Sequence, residues 1–197
     1  MARDGYWNHN VHYQPVILAA VPPGCGPALD VGCGDGLLAC RLAERCAEVT
    51  GIDRDPRMIT LARAQEHGRT RFIEADFLTY PFEADSFDFA CANTSLHHMD
   101  LAAALTAMIR LLRPGGRLAV IGLAADKSIA DRLAGAAGVP AALFYRVIYR
   151  KGESGAPIRD PDMSWREVHA AAARLLPGVR YRRHLLWRYS LLWHKPE

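Results

Sequence analysis

The sequence lacks a long hydrophobic run. Among its 197 residues, no apolar stretch reaches the roughly 18 residues that a membrane-spanning helix requires. The first ten residues, MARDGYWNHN, also lack the apolar core of a secretory signal. We therefore expect a cytoplasmic protein without a membrane span.

Paired cysteines are missing as well, although the chain has five cysteine residues. The number is odd, no Cys-x-x-Cys pair occurs, and no group of His and Cys residues has the spacing of a zinc site. We expect reduced thiols and no metal. A globule of this length buries roughly 70% of its unfolded surface, so it needs neither a disulfide nor a metal for stability.

A strong excess of one charge is also absent. The formal net charge is +3, and the densest basic run is RYRRH at 180–184, which suits a strand with solvated arginines. Nucleic-acid-binding domains usually carry a dense basic patch, so this charge balance argues against such a partner. The length fits a single domain over residues 1–197.

The chain does contain a regular alternation of strand-like and helix-like segments. Five strand patterns, in PALDVGC, EVTGID, TRFIEADF, SFDFACAN and GRLAVIGL, alternate with helical patterns. This alternation predicts a parallel sheet with helices on both faces. The segment VRYRRHLLWRYSLLWHKP predicts a terminal hairpin that reverses near residues 186–188, and a short leading helix is expected to be interrupted or started at Pro15.

The turn after the first strand, Gly32-Cys33-Gly34-Asp35-Gly36, combines bare backbone with carboxylates. Glycine permits a sharp turn and close approach of a ligand to the backbone. A dinucleotide fingerprint would place the third glycine one residue later, and Asp30 and Asp35 would repel a pyrophosphate. The pattern therefore favours a ligand with cationic groups, and a glycine-rich turn without a ligand is the alternative.

Acidic residues follow the second and third strands. Asp53 can accept hydrogen bonds from both hydroxyls of a ribose, whereas Asp55 suits the N-cap of the next helix. Asp76 lies at the edge where ligands bind in open α/β sheets, and it can accept a hydrogen bond from an amine such as that of adenine. Phe77 can flank such a ring or belong to the core, and the sequence leaves both possibilities open.

The segments LDVGCGDG, GIDRDPRM, IEADF, FDFACANTSLHHM and LRPGGRLAVIG occur in the order and spacing of a known family. Together they resemble the class I S-adenosylmethionine-dependent methyltransferases, especially small-molecule enzymes related to the ubiquinone and menaquinone methylases. The resemblance covers residues 27–123. It implies a Rossmann-like, doubly wound α/β fold whose seven-stranded sheet is mostly parallel with an antiparallel C-terminal strand. It also implies S-adenosylmethionine as cofactor and S-adenosylhomocysteine as product.

The resemblance implies a role for single residues at the methionine end of the cofactor. Gly32, Cys33 and Gly34 would lie against the methionine part. Asp30 would hold its amino group, directly or through water. Asn93, which ends the fourth strand, would face the same amino group through its backbone carbonyl.

A second set of implied roles concerns the nucleoside end. Asp53 would take the ribose hydroxyls, with Arg54 packed near the adenine. Asp76 and the Phe77 backbone would recognise the adenine. Tyr13 is expected to close over the cofactor carboxylate or the substrate, although an aromatic helix packed on the sheet explains the same residue.

Three features are expected to concern the methyl acceptor, a small molecule. His97 and His98, just past the fourth strand, can act as a general base or can orient the loop. Residues 1–26 are expected to form a helical cover, to which Tyr6 would contribute. Residues 126–162 are expected to form a substrate cap, or else contain a plain amphipathic helix.

Three other functions compete with this interpretation. A nucleic-acid methyltransferase is the nearest alternative, but Asn93-Thr94-Ser95-Leu96 replaces the Asn/Asp-Pro-Pro-aromatic motif typical of amino-group methylases. A nicotinamide oxidoreductase is disfavoured by the glycine spacing. The third is a catalytically inactive protein that binds S-adenosylmethionine and serves as a partner subunit. The sequence indicates neither the oligomeric state nor the identity of the acceptor.

Overall fold

A computed structural model describes residues 8–127 and 160–197 of the chain. The helices in these ranges are α1 (His9–Ala20), α2 (Leu37–Leu42), α3 (Pro56–Arg63), α4 (Leu101–Leu111) and α5 (Trp165–Leu175), with a 3-10 turn at Leu96–His98. The strands are β1 (Pro27–Val31), β2 (Glu48–Asp53), β3 (Thr70–Glu74), β4 (Phe87–Asn93), β5 (Leu112–Leu123), β6 (Arg180–Arg183) and β7 (Arg188–His194). No helix within these residues has both the length and the apolar character to cross a membrane.

The seven strands form one sheet in the order β3-β2-β1-β4-β5-β7-β6. The first five strands of the chain pair in parallel, and β7 pairs antiparallel with both β5 and β6. The predicted parallel sheet with a terminal hairpin is confirmed. The strand order reverses between β1 and β4, and ligands of open α/β sheets bind at the carboxyl ends of the strands beside such a reversal.

Both faces of the sheet are covered, because successive strand residues point to opposite sides. On one face, Leu29 and Val31 of β1 pack in a core with residues of α4 and α5. On the other face, Ala28 packs in a second core with residues of α1, α2 and α3. The same alternation places Asp30 on the second face. A charged residue in a strand buried on both faces is unusual and requires an explanation.

The strand β5 begins earlier than the sequence predicts. The predicted strand GRLAVIGL begins at Gly116, but β5 starts directly after α4, at Leu112. Leu112 pairs with Phe87, and the next pair is Arg117 with Phe89, so the four residues between them bulge out of register. Gly115 has a positive φ of 73° in this bulge. Residues 113–116 thus form a bulge inside the strand.

The helix α1 also differs from the prediction, because it continues through Pro15. Asn8 caps the helix, and its side-chain oxygen accepts hydrogen bonds from the N–H groups of Asn10 and Val11, both at 2.9 Å. Pro15 lacks the N–H that would otherwise bond to the carbonyl of Val11. Burial of Tyr13 and Ile17 on the sheet holds the helix together despite the proline.

Replacing Pro15 with alanine should stabilise the protein by about 1–2 kcal/mol. Alanine restores the missing hydrogen bond, and the exposed proline ring has no core contact to lose. The greater entropy of the unfolded chain offsets part of this gain. Urea unfolding of the purified variant measures the difference.

The matched control is Pro56→Ala. Pro56 is also exposed, but it occupies the first position of α3, where no hydrogen bond is lost and proline is favourable. This variant should gain no stability. A loss of stability in Pro15→Ala, or an equal gain of stability in Pro56→Ala, would contradict a missing hydrogen bond as the cost of Pro15.

Candidate functional site

The glycine turn between β1 and α2 lies at the point where the strand order reverses. The N–H groups of Gly32 and Cys33 both donate to the carbonyl of Ile52, at 2.8 and 3.1 Å. Gly32 has a φ of 68°, and a Cβ there would overlap the side chain of Ser95. Gly34 has a φ of 55°, but a Cβ there would meet no atom within 4 Å. The turn therefore presents an open stretch of backbone that a ligand can approach.

Asp53, the last residue of β2, connects this turn to the next helix. One carboxylate oxygen accepts a hydrogen bond from the N–H of Gly34, and the other accepts one from the N–H of Asp55, both at 2.9 Å. Asp55 caps α3 through the N–H of Arg57. Each oxygen of the half-buried Asp53 carboxylate keeps a lone pair, so the group can still accept hydrogen bonds from two hydroxyls.

Asp30 is the most unusual residue of the site, because it is a carboxylate with only 1% of its surface exposed. One oxygen accepts a weak hydrogen bond from the thiol of Cys91 at 3.7 Å, and the other has no hydrogen-bond partner. Burial raises the pKa of Asp30 to about 7; the Cys91 thiol opposes this shift, and the negative charges of Asp53 and Asp35 add to it. A cationic group bound here would offset the cost of burying the charge.

The thiol of Cys33 is buried beside these carboxylates. Burial raises its pKa well above the ordinary value, and the charges of Asp30 and Asp53 add to the effect. Cys33 therefore stays protonated at neutral pH and contributes to the site through its backbone. In the part of the chain that the structure describes, no three metal-ligating side chains of His, Cys, Asp or Glu converge.

The residues predicted to bind the adenine lie on the same side of the site. Asp76 is exposed just beyond β3, and its carboxylate accepts a hydrogen bond from the N–H of Leu78 at 2.8 Å. The Phe77 side chain is 6% exposed and packs in the core. Its backbone, rather than its ring, is therefore the part available to a ligand. Arg54 is exposed beside Asp53.

The loop after β4 forms the other side of the site. Asn93 ends the strand half-buried, and its amide nitrogen donates to the backbone carbonyl of Asn10 at 3.2 Å. His97 and His98 follow in the 3-10 turn, both half-buried, with ring centroids 4.2 Å apart. The histidines thus lie at the carboxyl edge of the sheet, and this placement agrees with either role predicted for them.

Tyr13 is buried at the interface between α1 and the terminal hairpin. Its hydroxyl donates to the carbonyl of Leu185 at 2.8 Å, and its ring lies 5.1 Å from that of His184. This contact anchors the described part of the predicted cover. Tyr6 lies outside the described residues, as does most of the predicted cap, of which the structure describes only residues 126–127 and 160–162.

Three residues of this edge were not predicted from the sequence. Ser95 packs against Gly32, Asn10 contacts Asn93, and Arg188 contacts Asn10. Arg188 is the one charged residue in the otherwise largely apolar run LLWRYSLLW. A single charged residue in a largely apolar run is a signal from which the unusual position of Arg188 could have been predicted. Nothing comparable distinguishes Ser95 or Asn10, whose roles depend on contacts with distant parts of the chain.

Comparison with known proteins connects this geometry to a family. A family model described as a methyltransferase domain matches residues 29–120. The chain is 36% identical over 196 residues to an uncharacterized methyltransferase, Rv0089, of Mycobacterium tuberculosis, and this covers 98% of the chain and 99% of that protein.

Two further similarities are less extensive. A ubiquinone biosynthesis O-methyltransferase of Xylella fastidiosa is 36% identical over 134 residues, which is 59% of this chain and 54% of that enzyme. The structure of Haemonchus contortus phosphoethanolamine N-methyltransferase 2 with S-adenosyl-L-methionine is similar in fold, with a TM-score of 0.66 and 15% identity. The similarity covers 94% of this chain and 53% of that one.

The buried Asp30 predicts a pH-dependent effect of Asp30→Asn on stability. The folded pKa of about 7 lies above the value near 3.9 of an exposed aspartate, so the folded state binds the extra proton. The wild-type protein therefore loses stability from this group as pH rises from about 4 to 7. Asparagine has no such loss. The free energy of unfolding of the variant, relative to that of wild type, should therefore increase by about 2–3 kcal/mol from pH 5 to pH 8.

Urea unfolding of the ligand-free proteins at several pH values measures this gain. Glu74→Gln, which removes an exposed carboxylate at the end of β3, is the control and should show an almost constant difference from wild type. If the difference in stability between Asp30→Asn and wild type is the same at pH 5 and pH 8, the pKa of Asp30 is not raised in the folded protein.

Proposed function

The chain belongs to the class I S-adenosylmethionine-dependent methyltransferases, and on that basis we propose that it methylates an oxygen, nitrogen or carbon atom of a small organic molecule. The observation that carries the cofactor assignment is the buried carboxylate of Asp30 on β1, the strand that leads into the open glycine turn at Gly34. An unpartnered carboxylate oxygen suits the ammonium and sulfonium groups of S-adenosylmethionine, and it would repel a phosphate.

The remaining contacts proposed for the cofactor follow from the strand ends. The backbone of Gly32, Cys33 and Gly34 would lie against its methionine part. The amino group would be held by Asp30 and by the backbone carbonyl of Asn93. The half-buried Asp53 would accept the ribose hydroxyls, because both its oxygens retain a lone pair.

Adenine recognition is assigned to the loop after β3. Asp76 is exposed at this edge and can accept a hydrogen bond from the exocyclic amine. The Phe77 backbone would contact the ring, since its side chain is in the core. Arg54 would pack near the adenine, next to the ribose-binding Asp53.

The chemical role of the chain itself is to orient the acceptor and to manage its proton. The bound cofactor supplies an electrophilic methyl group. The loop after β4 would hold the acceptor atom in line with it, which reduces the entropy cost of the reaction. A hydroxyl acceptor must lose a proton, and a neutral imidazole of His97 or His98 can accept it. An acceptor that needs no base would leave the histidines the role of orienting the loop.

A small-molecule acceptor is supported by the Xylella fastidiosa relative, which is a ubiquinone biosynthesis O-methyltransferase. The net charge of +3 gives no support to a nucleic-acid substrate. We propose that residues 1–26 cover the site and that residues 126–162 contact the acceptor, within a single domain.

The proposal is tested by thermal unfolding with S-adenosylhomocysteine. At about 100 times its dissociation constant, the ligand should add roughly 2.7 kcal/mol to the stability of the folded protein. The shift should be lost in Asp53→Ala. A shift with NADH instead would favour an oxidoreductase, and no shift with millimolar S-adenosylhomocysteine would refute the cofactor assignment.

A pair of glycine variants separates ligand contact from backbone strain. Gly34→Ala and Gly115→Ala both place a side chain at a positive φ, with no atom within 4 Å of the new Cβ. Both should destabilise the free protein by about 1–2 kcal/mol. Only Gly34→Ala should weaken S-adenosylhomocysteine binding, because Gly115 lies in the distant β5 bulge. Equal weakening in both variants would contradict the proposed contact.

A further inference from the structure

Arg188 is a buried arginine at the ligand-binding edge of the sheet. It is the first residue of β7 and pairs with Leu123, the last residue of β5. Only 8% of its surface is exposed. The antiparallel direction of β7 brings its beginning to the carboxyl ends of the parallel strands, where the proposed site lies.

The guanidinium of Arg188 has only neutral hydrogen-bond partners. One terminal nitrogen donates to the carbonyl of Leu186 at 2.5 Å and the other to the side-chain oxygen of Asn10 at 2.6 Å. Its Nε is buried and has no hydrogen-bond partner. Within residues 8–127 and 160–197, no carboxylate forms a salt bridge with Arg188.

The acidic residue next to this region is already engaged. Asp126 accepts hydrogen bonds from the indole N–H groups of Trp165 and Trp187, at 2.8 and 3.1 Å. Its carboxylate therefore fixes the end of β5 to α5 and to the hairpin rather than neutralising Arg188. The arginine keeps a positive charge without a described counter-charge.

An unpaired buried charge is costly for the folded state. Burial lowers the pKa of Arg188 to about 10, and the nearby Tyr13 opposes this shift, so the side chain remains charged at neutral pH. Neutral side chains could make the two hydrogen bonds to Leu186 and Asn10 without the cost of desolvating a charge. The charge itself is therefore explained better by a ligand than by the fold.

The strand order relates Arg188 to the methyl acceptor rather than to the cofactor. The residues Asp30, Asp53 and Asp76, proposed for the cofactor, lie on β1, β2 and just beyond β3, whereas Arg188 begins β7, two strands beyond β4 on the opposite side. Asn10 contacts Arg188 through its side chain and Asn93 through its backbone carbonyl. Asn10 thus connects Arg188 to Asn93, the last residue of β4. Burial and the charge of Arg188 lower the pKa of His12, which leaves Arg188 as the cation of this pair at neutral pH.

We propose that Arg188 binds an anionic group, a carboxylate or a phosphate, of the molecule that accepts the methyl group. The assignment rests on the proposed function and narrows its substrate class to acids. The unpartnered Nε and the remaining N–H groups of the terminal nitrogens form a planar fork, which suits two parallel hydrogen bonds to an oxyanion.

The test uses calorimetric titration of the full chain saturated with S-adenosylhomocysteine. The probes are sodium benzoate and inorganic phosphate, with benzamide as the uncharged counterpart of benzoate and sodium chloride to equalise ionic strength. We expect benzoate or phosphate to bind and benzamide not to bind. The anion that binds more tightly identifies the carboxylate or the phosphate as the preferred group.

The variants separate this ligand contact from a structural role. Arg188→Gln should weaken binding of the preferred anion at least about tenfold while leaving S-adenosylhomocysteine affinity unchanged. Arg182→Gln removes the same charge from an exposed position on β6 and should bind the anion as wild type does. Arg188→Lys keeps the charge but loses the fork, so it should bind the anion more weakly than wild type.

Each outcome bears on one of the two proposals. If wild type binds S-adenosylhomocysteine but neither anion, or binds benzamide as well as benzoate, the role of Arg188 is refuted and the proposed function stands. If S-adenosylhomocysteine itself does not bind, the cofactor assignment fails, and titration of the anions into the free protein still tests Arg188. If Arg188→Gln does not fold, the titrations of wild type and of Arg188→Lys with the anions and benzamide test the role of Arg188.

Discussion

The site depends on the close packing of Gly32 against Ser95, which joins the loops that follow β1 and β4. The Ser95 hydroxyl donates to the carbonyl of Val31 at 2.5 Å, so the contact is fixed from both sides. A side chain at position 32 would separate the two loops. With Gly32 held in place, the N–H of Gly34 reaches Asp53, and Asn93 faces the start of α1. One missing Cβ thus determines the distance between the two halves of the site.

The two buried charges of this edge have opposite signs and do not neutralise each other. Asp30 lies on β1 and contacts Cys91, whereas Arg188 lies on β7, three strands further along the sheet, and contacts Asn10. A fold that needed charges only for stability would gain more by pairing them or by replacing them with apolar residues. Two separate unpaired charges are better explained by two different ligands, one with a cationic group and one with an anionic group.

The features predicted correctly from the sequence are those that depend on neighbouring residues. The alternation of strands and helices, the turn at Gly32–Gly36 and the position of Asp53 at a strand end all follow from local periodicity and turn chemistry. The features that were missed depend on distant contacts. Burial of α1 on the sheet overrides Pro15, the pairing of β5 with β4 produces the bulge at Gly115, and Arg188 acquires its environment from Asn10, 178 positions earlier in the chain.

The helix α1 connects these distant parts, and its position affects both proposed ligands. Asn10 uses its backbone carbonyl for Asn93 and its side chain for Arg188, and Tyr13 ties the same helix to Leu185 of the hairpin. A displacement of α1 would therefore disturb Asn93, proposed to face the methionine end of the cofactor, and Arg188, proposed to face the acceptor, at the same time. Asn10 therefore lies between the two proposed ligands, and each ligand would meet a different partner of the same helix.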